Sequence, residues 1–101
     1  MLIVGCGEMG RLLMKKIVDA PHLFREVSGF IDERLPIGTV IRCVTDQASN
    51  QIVERSVVGR RADLFDLVRS LEIEEVIADG SVLSTNALDS LFKQCRVLGI
   101  R

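Results

Sequence analysis

Three glycines near the start of the chain have the spacing of a phosphate-binding loop. Gly5, Gly7 and Gly10 form a complete G-x-G-x-x-G, preceded by a short apolar run and followed by helical periodicity. In this context Gly5 allows the tight turn, Gly7 lets the backbone approach a pyrophosphate, and Gly10 lets the helix pack on the strand. The N–H groups and the positive dipole at a helix start bind phosphates. The motif therefore predicts a phosphate-bearing ligand such as a dinucleotide.

An acidic residue stands where a dinucleotide-binding fold requires one. Asp32 follows the apolar run at 29–31, about 20 residues after the last glycine of the loop, where an acid binds the ribose hydroxyls. This favours NAD or a related nucleotide as the cofactor. Arg34 is an alternative partner, which would bind the 2′-phosphate of NADP. A simpler alternative also stays open, in which the glycines only shape the turn and no ligand binds.

The other residues of the loop complete the predicted binding set. Glu8 and Met9 lie between the second and third glycines. Glu8 complements the helix dipole but would repel a pyrophosphate, so we expect it to point outward. Arg11 either reaches the phosphates or is simply solvated. Cys6 lies where a helix start can lower a thiol pKa, although a small residue in a tight turn explains it equally well.

Few other residues have the types or spacing of a functional site. Asp79, before Gly80 and Ser81, ends a later strand, at the edge where ligands bind in such sheets, but a plain strand-to-helix turn is the simpler interpretation. His22 is the single histidine and is expected at the surface. The chain has no Tyr, no HEXXH and no Ser/His/Asp set. Nothing in it therefore assembles a catalytic group, and whether the parent protein is an enzyme stays open.

Composition excludes several classes of protein. Hydrophobic residues make up 48% of the 101 residues and aromatic residues only 4%, which is typical of a parallel sheet covered by helices. A net charge of -1 provides no field that would hold nucleic acid or a membrane surface. No apolar run reaches the roughly 18 residues of a membrane span. Three widely spaced cysteines without a CxxC motif indicate reduced thiols in the cytoplasm.

The order of elements predicts an α/β fold, a Rossmann-like doubly wound parallel sheet. Strand-like runs occupy residues 2–4, 27–31, 39–44, 52–58 and 75–78. Helical spacing of apolar residues follows the glycine loop, from Met9 to Ala20, and returns at 64–71 and 88–95. In the last of these helices we expect Phe92 to face the core. Residues 1–101 form one domain by this interpretation, and the short first strand indicates a piece truncated at both ends.

The sequence resembles a bacterial family over nearly its whole length. The segments LIVGCGEMGR at 2–11, VSGFID at 27–32 and DLVRSLEIEEVI at 66–77 are similar to the CoA-binding-like Rossmann domain of polysaccharide-biosynthesis proteins. In that family the domain precedes the catalytic part of membrane-bound nucleotide-sugar dehydratases or epimerases and of undecaprenyl-phosphate sugar phosphotransferases. The resemblance implies that catalytic residues lie in a following domain.

The same resemblance implies binding by the glycine loop and Asp32. The chain departs from the family between residues 35 and 56, where its connection looks longer, and at Glu72, which replaces a helix-ending glycine. These departures put in question the adenine side of the pocket and the end of the helix before residue 72.

We therefore expect a cytoplasmic accessory or regulatory domain that binds NAD(H), a nucleotide-sugar or another adenine nucleotide, without contacting nucleic acid or membrane. One alternative is the cofactor-binding part of an NAD-dependent nucleotide-sugar dehydratase or epimerase. Another is an interaction module with a vestigial site. Such a module would form a homodimer through an open sheet edge or through an apolar patch that includes Leu2, Phe24 and Phe30.

Overall fold

The computed structural model describes residues 1–20, 26–44 and 51–99 of the chain. Five strands are present in this part: β1 (Leu2–Val4), β2 (Gly29–Ile31), β3 (Val40–Val44), β4 (Ile52–Gly59) and β5 (Val76–Ala78). Three helices accompany them: α1 (Glu8–Val18), α2 (Leu64–Ser70), preceded by a 3-10 turn at Arg61–Asp63, and α3 (Thr85–Leu98). Each element lies within a few residues of the bounds predicted from the sequence, so the α/β class is confirmed.

The sheet is mostly parallel, with the strand order β3-β4-β2-β1-β5. β1 pairs in parallel with β2 and β5, and β2 pairs in parallel with β4. The chain thus places β2, β4 and β3 on one side of β1, with β4 inserted between β2 and the edge strand β3, and then crosses back to place β5 on the other side. In open α/β sheets a crevice forms where the order reverses, outside the carboxyl ends of the strands. This order is compatible with a Rossmann-like fold.

Apolar layers cover both faces of the sheet, because successive residues of a strand point to opposite sides. One layer joins Leu2 and Val4 to side chains of α2 and α3. The opposite layer joins Ile3 and Phe30 to Met14 of α1. All five side chains are at most 1% exposed. Helices on both faces explain why the central strands β1 and β2 and the strand β5 contain no polar side chain. They also exclude Leu2 and Phe30 from any exposed apolar patch, and Phe24 lies outside the described residues.

One strand corrects the expectation of a wholly parallel sheet. β3 pairs antiparallel with β4, from Val40 opposite Ser56 to Val44 opposite Ile52. Only residues 45–51 connect the two strands, and a connection of that length permits a hairpin, whereas a parallel crossover requires a dozen residues or more. β3 forms the outer edge of the sheet beyond β4.

α3 has a side-chain cap at its start and a glycine after its end, but its buried face differs from the expectation. The Ser84 hydroxyl accepts a hydrogen bond from the Ala87 N–H at 3.1 Å, and Gly99 follows the helix with a φ of 71°. Leu91 is buried, whereas Phe92 is 71% exposed. The expectation that Phe92 faces the core is therefore wrong. Its neighbour occupies the core position, and 3.6 residues per turn carry adjacent side chains to different faces.

α2 is followed by a residue in the left-handed backbone region. Glu72 has a φ of 53°, a conformation that favours glycine. The N–H of Ile73 then donates to the carbonyl of Val68 at 3.0 Å, so the chain turns directly from the helix toward β5. Glu72 thus ends the helix in the backbone conformation that a glycine would adopt, although it replaces the glycine common in the resembled family. The strain of this conformation falls on an exposed residue.

Candidate functional site

A cleft of about 460 Å³ opens at the carboxyl ends of β1 and β2. Its volume lies in the range of small-molecule sites. Residues 4–7 and 31–35 form one side, from the glycine loop and the segment that follows β2. Residues 82–84 and Ala87, at the start of α3, form another side together with Arg61. The cleft therefore lies at the sheet edge where α/β folds bind ligands.

The glycine loop turns the chain sharply from β1 into α1. Gly5 has a φ of 102°, which favours glycine, and its N–H donates to the carbonyl of Ile31 at 2.7 Å. Gly10 packs tightly against the loop, because a Cβ on it would overlap the carbonyl oxygen of Gly5. These two glycines have the structural roles that the fingerprint predicts. Gly7 is the N-cap residue of α1 and supplies no side-chain acceptor to the first turn.

The missing cap of α1 comes from Asp79, at the end of β5. This side chain is 0% exposed, and its Oδ2 accepts a hydrogen bond from the Gly10 N–H at 2.8 Å. Oδ1 accepts hydrogen bonds from the backbone N–H and the hydroxyl of Ser81, and the backbone N–H of Gly7 adds to the stabilisation of the charged carboxylate. Burial raises the pKa of Asp79, but the donor groups of Ser81, Gly10 and Gly7 outweigh burial and hold the pKa below its ordinary value. The donors that the fingerprint assigns to a phosphate therefore bind an ionised carboxylate of the chain itself.

The space over Gly7 is filled by the connection between β5 and α3. A Cβ on Gly7 would lie 2.5 Å from Cγ1 of Val82 and 2.7 Å from Oδ2 of Asp79. A Cβ on Gly5 would lie 2.6 Å from Cγ2 of Val82. The close approach that the fingerprint reserves for a pyrophosphate is made here by protein side chains.

Asp32 links the segment after β2 to the glycine loop. Its Oδ1 accepts a hydrogen bond from the Cys6 N–H at 3.2 Å, and its Oδ2 accepts from Arg34 and Leu35 at 2.9 and 2.7 Å. Burial raises the pKa of Asp32, but these N–H groups and the charge of Arg60 outweigh it and keep the pKa below its ordinary value. A carboxylate oxygen accepts up to two hydrogen bonds, so Oδ1 has capacity for a ligand hydroxyl.

Three arginines line the cleft: Arg11, Arg34 and Arg61. Arg11 Nε donates to the carbonyl of Cys6 at 3.2 Å, which holds the guanidinium against the glycine loop. Arg61 donates through its backbone N–H and its Nε to Oε1 of Glu33 at 2.8 and 3.1 Å. Guanidinium groups bind phosphate through paired N–H donors. The cleft lining thus combines three guanidinium groups with the carboxylates of Asp32 and Glu33, of which Glu33 is paired with Arg61.

The structure brings together four of the seven residues predicted to bind the cofactor. The four that line the cleft are Gly5, Gly7, Asp32 and Arg34. Gly10 is buried behind the loop, and Glu8 is exposed and outside the lining, as expected of an outward side chain. Met9 is 49% exposed, so it belongs neither to the lining nor to the buried face of α1.

Local sequence patterns do not predict which residues of the second half of the chain line the cleft. Arg61 and Val82 line the cleft but belong to no motif. The available signal was an acid directly after a buried strand, Asp79, at the edge where ligands bind. Asp79 lies in the connection between β5 and α3 and outside the cleft lining, as the turn interpretation implies. Its buried carboxylate also caps α1, which the local pattern does not predict.

The thiol of Cys6 is not activated. Burial and the neighbouring charge of Asp32 raise the pKa of Cys6 to about 11, against the opposing effect of Arg11. The hypothesis that the helix start lowers this pKa is therefore wrong, and a small buried residue in a tight turn is the better explanation. His22 lies outside the described residues.

Residues 1–20, 26–44 and 51–99 contain neither a candidate metal site nor a membrane-spanning helix. No group of three or more His, Cys, Asp or Glu side chains there could hold a metal ion. No helix in the same ranges has both the length and the apolar character needed to cross a membrane. The resemblance to the polysaccharide-biosynthesis domain stays a prediction, since no family model, curated protein or solved structure matches this chain.

Proposed function

We propose that this chain is a Rossmann-like nucleotide-binding module that holds the ribose of its ligand in the cleft. The observation that carries the proposal is the position of Asp32, whose carboxylate stands in the cleft wall, 3.2 Å from the Cys6 N–H of the glycine loop. In dinucleotide-binding folds an acid at this place binds the ribose hydroxyls. The parallel strand order and the site of the cleft at the carboxyl ends of β1 and β2 support the same assignment.

The module binds its ligand and performs no chemistry itself. The Cys6 thiol is protonated at neutral pH because burial raises its pKa to about 11. Asp32 is held by three backbone N–H groups, an arrangement that stabilises the carboxylate and makes it a weak base. The resemblance to the domain of polysaccharide-biosynthesis proteins supports an accessory or regulatory role, in which NAD, a nucleotide-sugar or a related nucleotide is sensed in the cytoplasm and catalysis occurs elsewhere.

Isothermal titration calorimetry with NAD, NADP, CoA, ATP and a nucleotide-sugar tests this function. We expect saturable binding of at least one of them. Asp32→Ala should weaken that binding about tenfold or more, because it removes charge-assisted hydrogen bonds to the ribose. The matched control is Asp89→Ala, which removes an exposed carboxylate paired with Lys93 at 3.1 Å on α3 and should leave the affinity unchanged.

The folded state of each variant is established by circular dichroism and thermal melting before titration. A substitution at Gly7 would be a poor probe, because its Cβ would meet Val82 and Asp79 and so disturb the protein's own packing. Two results would contradict the proposal: a folded wild type that binds none of the compounds, or equal affinity in Asp32→Ala and Asp89→Ala.

A second candidate function is an interaction module with a vestigial site that forms a homodimer. The filling of the space over Gly7 by Val82 and Asp79 favours it, as do Phe92 and Val97 of α3, which are 71% and 78% exposed. Sedimentation velocity at micromolar concentration tests this alternative. A dimer that dissociates in Phe92→Ser, in the absence of nucleotide binding, would support it, whereas a monomer would exclude it.

A further inference from the structure

The start of α1 is occupied by a charged group of the chain itself. In a dinucleotide-binding fold the N–H groups at this helix start bind a pyrophosphate. Here the N–H group of Gly10 donates to Asp79 at 2.8 Å, and that of Gly7 adds to the stabilisation of the same carboxylate, which is 0% exposed. An incoming pyrophosphate would have to displace this buried carboxylate or lie beside it with charge of the same sign, which costs free energy in either case.

The volume that a pyrophosphate would require is also occupied. Cγ1 of Val82 lies 2.5 Å from the position of a Cβ on Gly7, and Cγ2 lies 2.6 Å from that of a Cβ on Gly5. Val82 lines the cleft beside Gly7, the N-cap residue of α1, so it narrows the cleft at the start of this helix. The charge of Asp79 and the volume of Val82 therefore both oppose a pyrophosphate at the start of α1, and each does so independently of the other.

The open part of the cleft keeps the groups that a nucleoside and one phosphate require. Asp32 lines it and has capacity for a ribose hydroxyl. Arg11 also lines the cleft and is held against the glycine loop by its bond to the Cys6 carbonyl. Arg34 adds a second guanidinium to the lining.

We propose that Asp79 and Val82 restrict the cleft to nucleosides and nucleoside monophosphates and exclude ligands that place a pyrophosphate on α1. This inference rests on the proposed function, because it names the ligand class of the same cleft. Asp79 excludes the second phosphate by its charge and by occupying the N–H donors. Val82 excludes it by volume. The single phosphate binds to the arginines of the cleft.

Calorimetry with the pairs AMP and ADP, and UMP and UDP, tests the inference, since comparison within a pair cancels the contribution of the base. For each base that binds, wild type should prefer the monophosphate about tenfold or more, because the second phosphate of the diphosphate meets the charge of Asp79 and the volume of Val82. Val82→Ala opens the volume without changing charge, and Asp79→Asn removes the charge while keeping one acceptor oxygen. Each should reduce the preference several-fold, whereas the matched control Asp89→Asn should leave it unchanged.

The outcomes separate this inference from the proposed function. Tighter or equal binding of the diphosphate by wild type would overturn the inference and leave nucleotide binding intact. An undiminished preference for the monophosphate in Val82→Ala and in Asp79→Asn would also overturn it. If Asp79→Asn does not fold, the preference measured in Val82→Ala decides alone. A folded wild type that binds none of the four nucleotides would overturn the proposed function, and this inference with it.

Discussion

Replacement of Asp79 by alanine is expected to destabilise the fold by about 3 kcal/mol. The side chain is 0% exposed, and its two oxygens accept hydrogen bonds from Gly10 and Ser81. Alanine removes every one of these acceptors and leaves the donors in place. The loss therefore comes from unsatisfied N–H groups and from the missing cap of α1, and only to a small extent from lost apolar contact.

The donors lose unequal amounts of free energy. Ser81 is exposed, so water replaces the carboxylate at its N–H and hydroxyl at little cost. The Gly10 N–H makes a buried bond, and a buried donor without a partner costs about 1–3 kcal/mol. The loss of an anion at the helix start adds about 1 kcal/mol. The total of about 3 kcal/mol is a large part of the roughly 5–15 kcal/mol by which domains are stable.

Urea unfolding at pH 7, followed by circular dichroism, measures this free energy directly. In a thermal melt the midpoint should fall by about 4–8 °C for each kcal/mol lost. Asp89→Ala is the control, since an exposed ion pair within one helix contributes about 0.5 kcal/mol or less. A loss below about 1 kcal/mol in Asp79→Ala would refute the reasoning, because it would mean that the buried Gly10 N–H does not depend on this carboxylate.

The pKa of Asp79 lies below its ordinary value, so its stabilising effect is complete above the unfolded-state pKa of about 3.9 and is lost as the pH falls through the folded-state value. Stability measured from pH 6 down to pH 2 should therefore fall less steeply in Asp79→Ala than in wild type, and parallel curves would argue against a paired, ionised Asp79. Glu72→Gly should raise the free energy of unfolding by about 0.5–1 kcal/mol, because it relieves a φ of 53° at an exposed residue. Urea unfolding measures this, and a destabilised variant would mean that the glutamate side chain makes a compensating contact. Gly10→Ala should cost about 2 kcal/mol, because its Cβ would overlap the carbonyl oxygen of Gly5. An unchanged melting temperature would show that α1 moves away from the loop without cost.

Strands and helices could be predicted where the pattern of neighbouring residues alone specifies them. Apolar runs and helical spacing specify strands and helices because burial repeats with the period of each element. The direction of β3 was not predicted from its residues, because strands of either direction share the same period of two. The short connection at 45–51 was the informative feature. The sequence places Phe92 in the core because Leu91 and Phe92 are adjacent and both apolar. Apolar character alone does not show which of two neighbours on a helix is buried.

The residues of the candidate site differ in the same way: those specified by neighbouring sequence could be predicted, and the one that comes from a distant part of the chain could not. Gly5, Gly10 and Asp32 could be placed from the sequence because the fingerprint describes the backbone of one strand-helix-strand unit. It defines where N–H donors are exposed and where a Cβ must be absent, but it does not define which group fills that space. In this chain the acceptor is Asp79, 69 residues from Gly10 along the chain, and only the crossover that adds β5 beside β1 brings the two together. A buried carboxylate and a bound phosphate satisfy the same donors, so the glycine spacing is compatible with both. Asp32 is different, because it lies in the open part of the cleft and one of its oxygens can accept a further hydrogen bond, which makes it the residue on which ligand binding should depend.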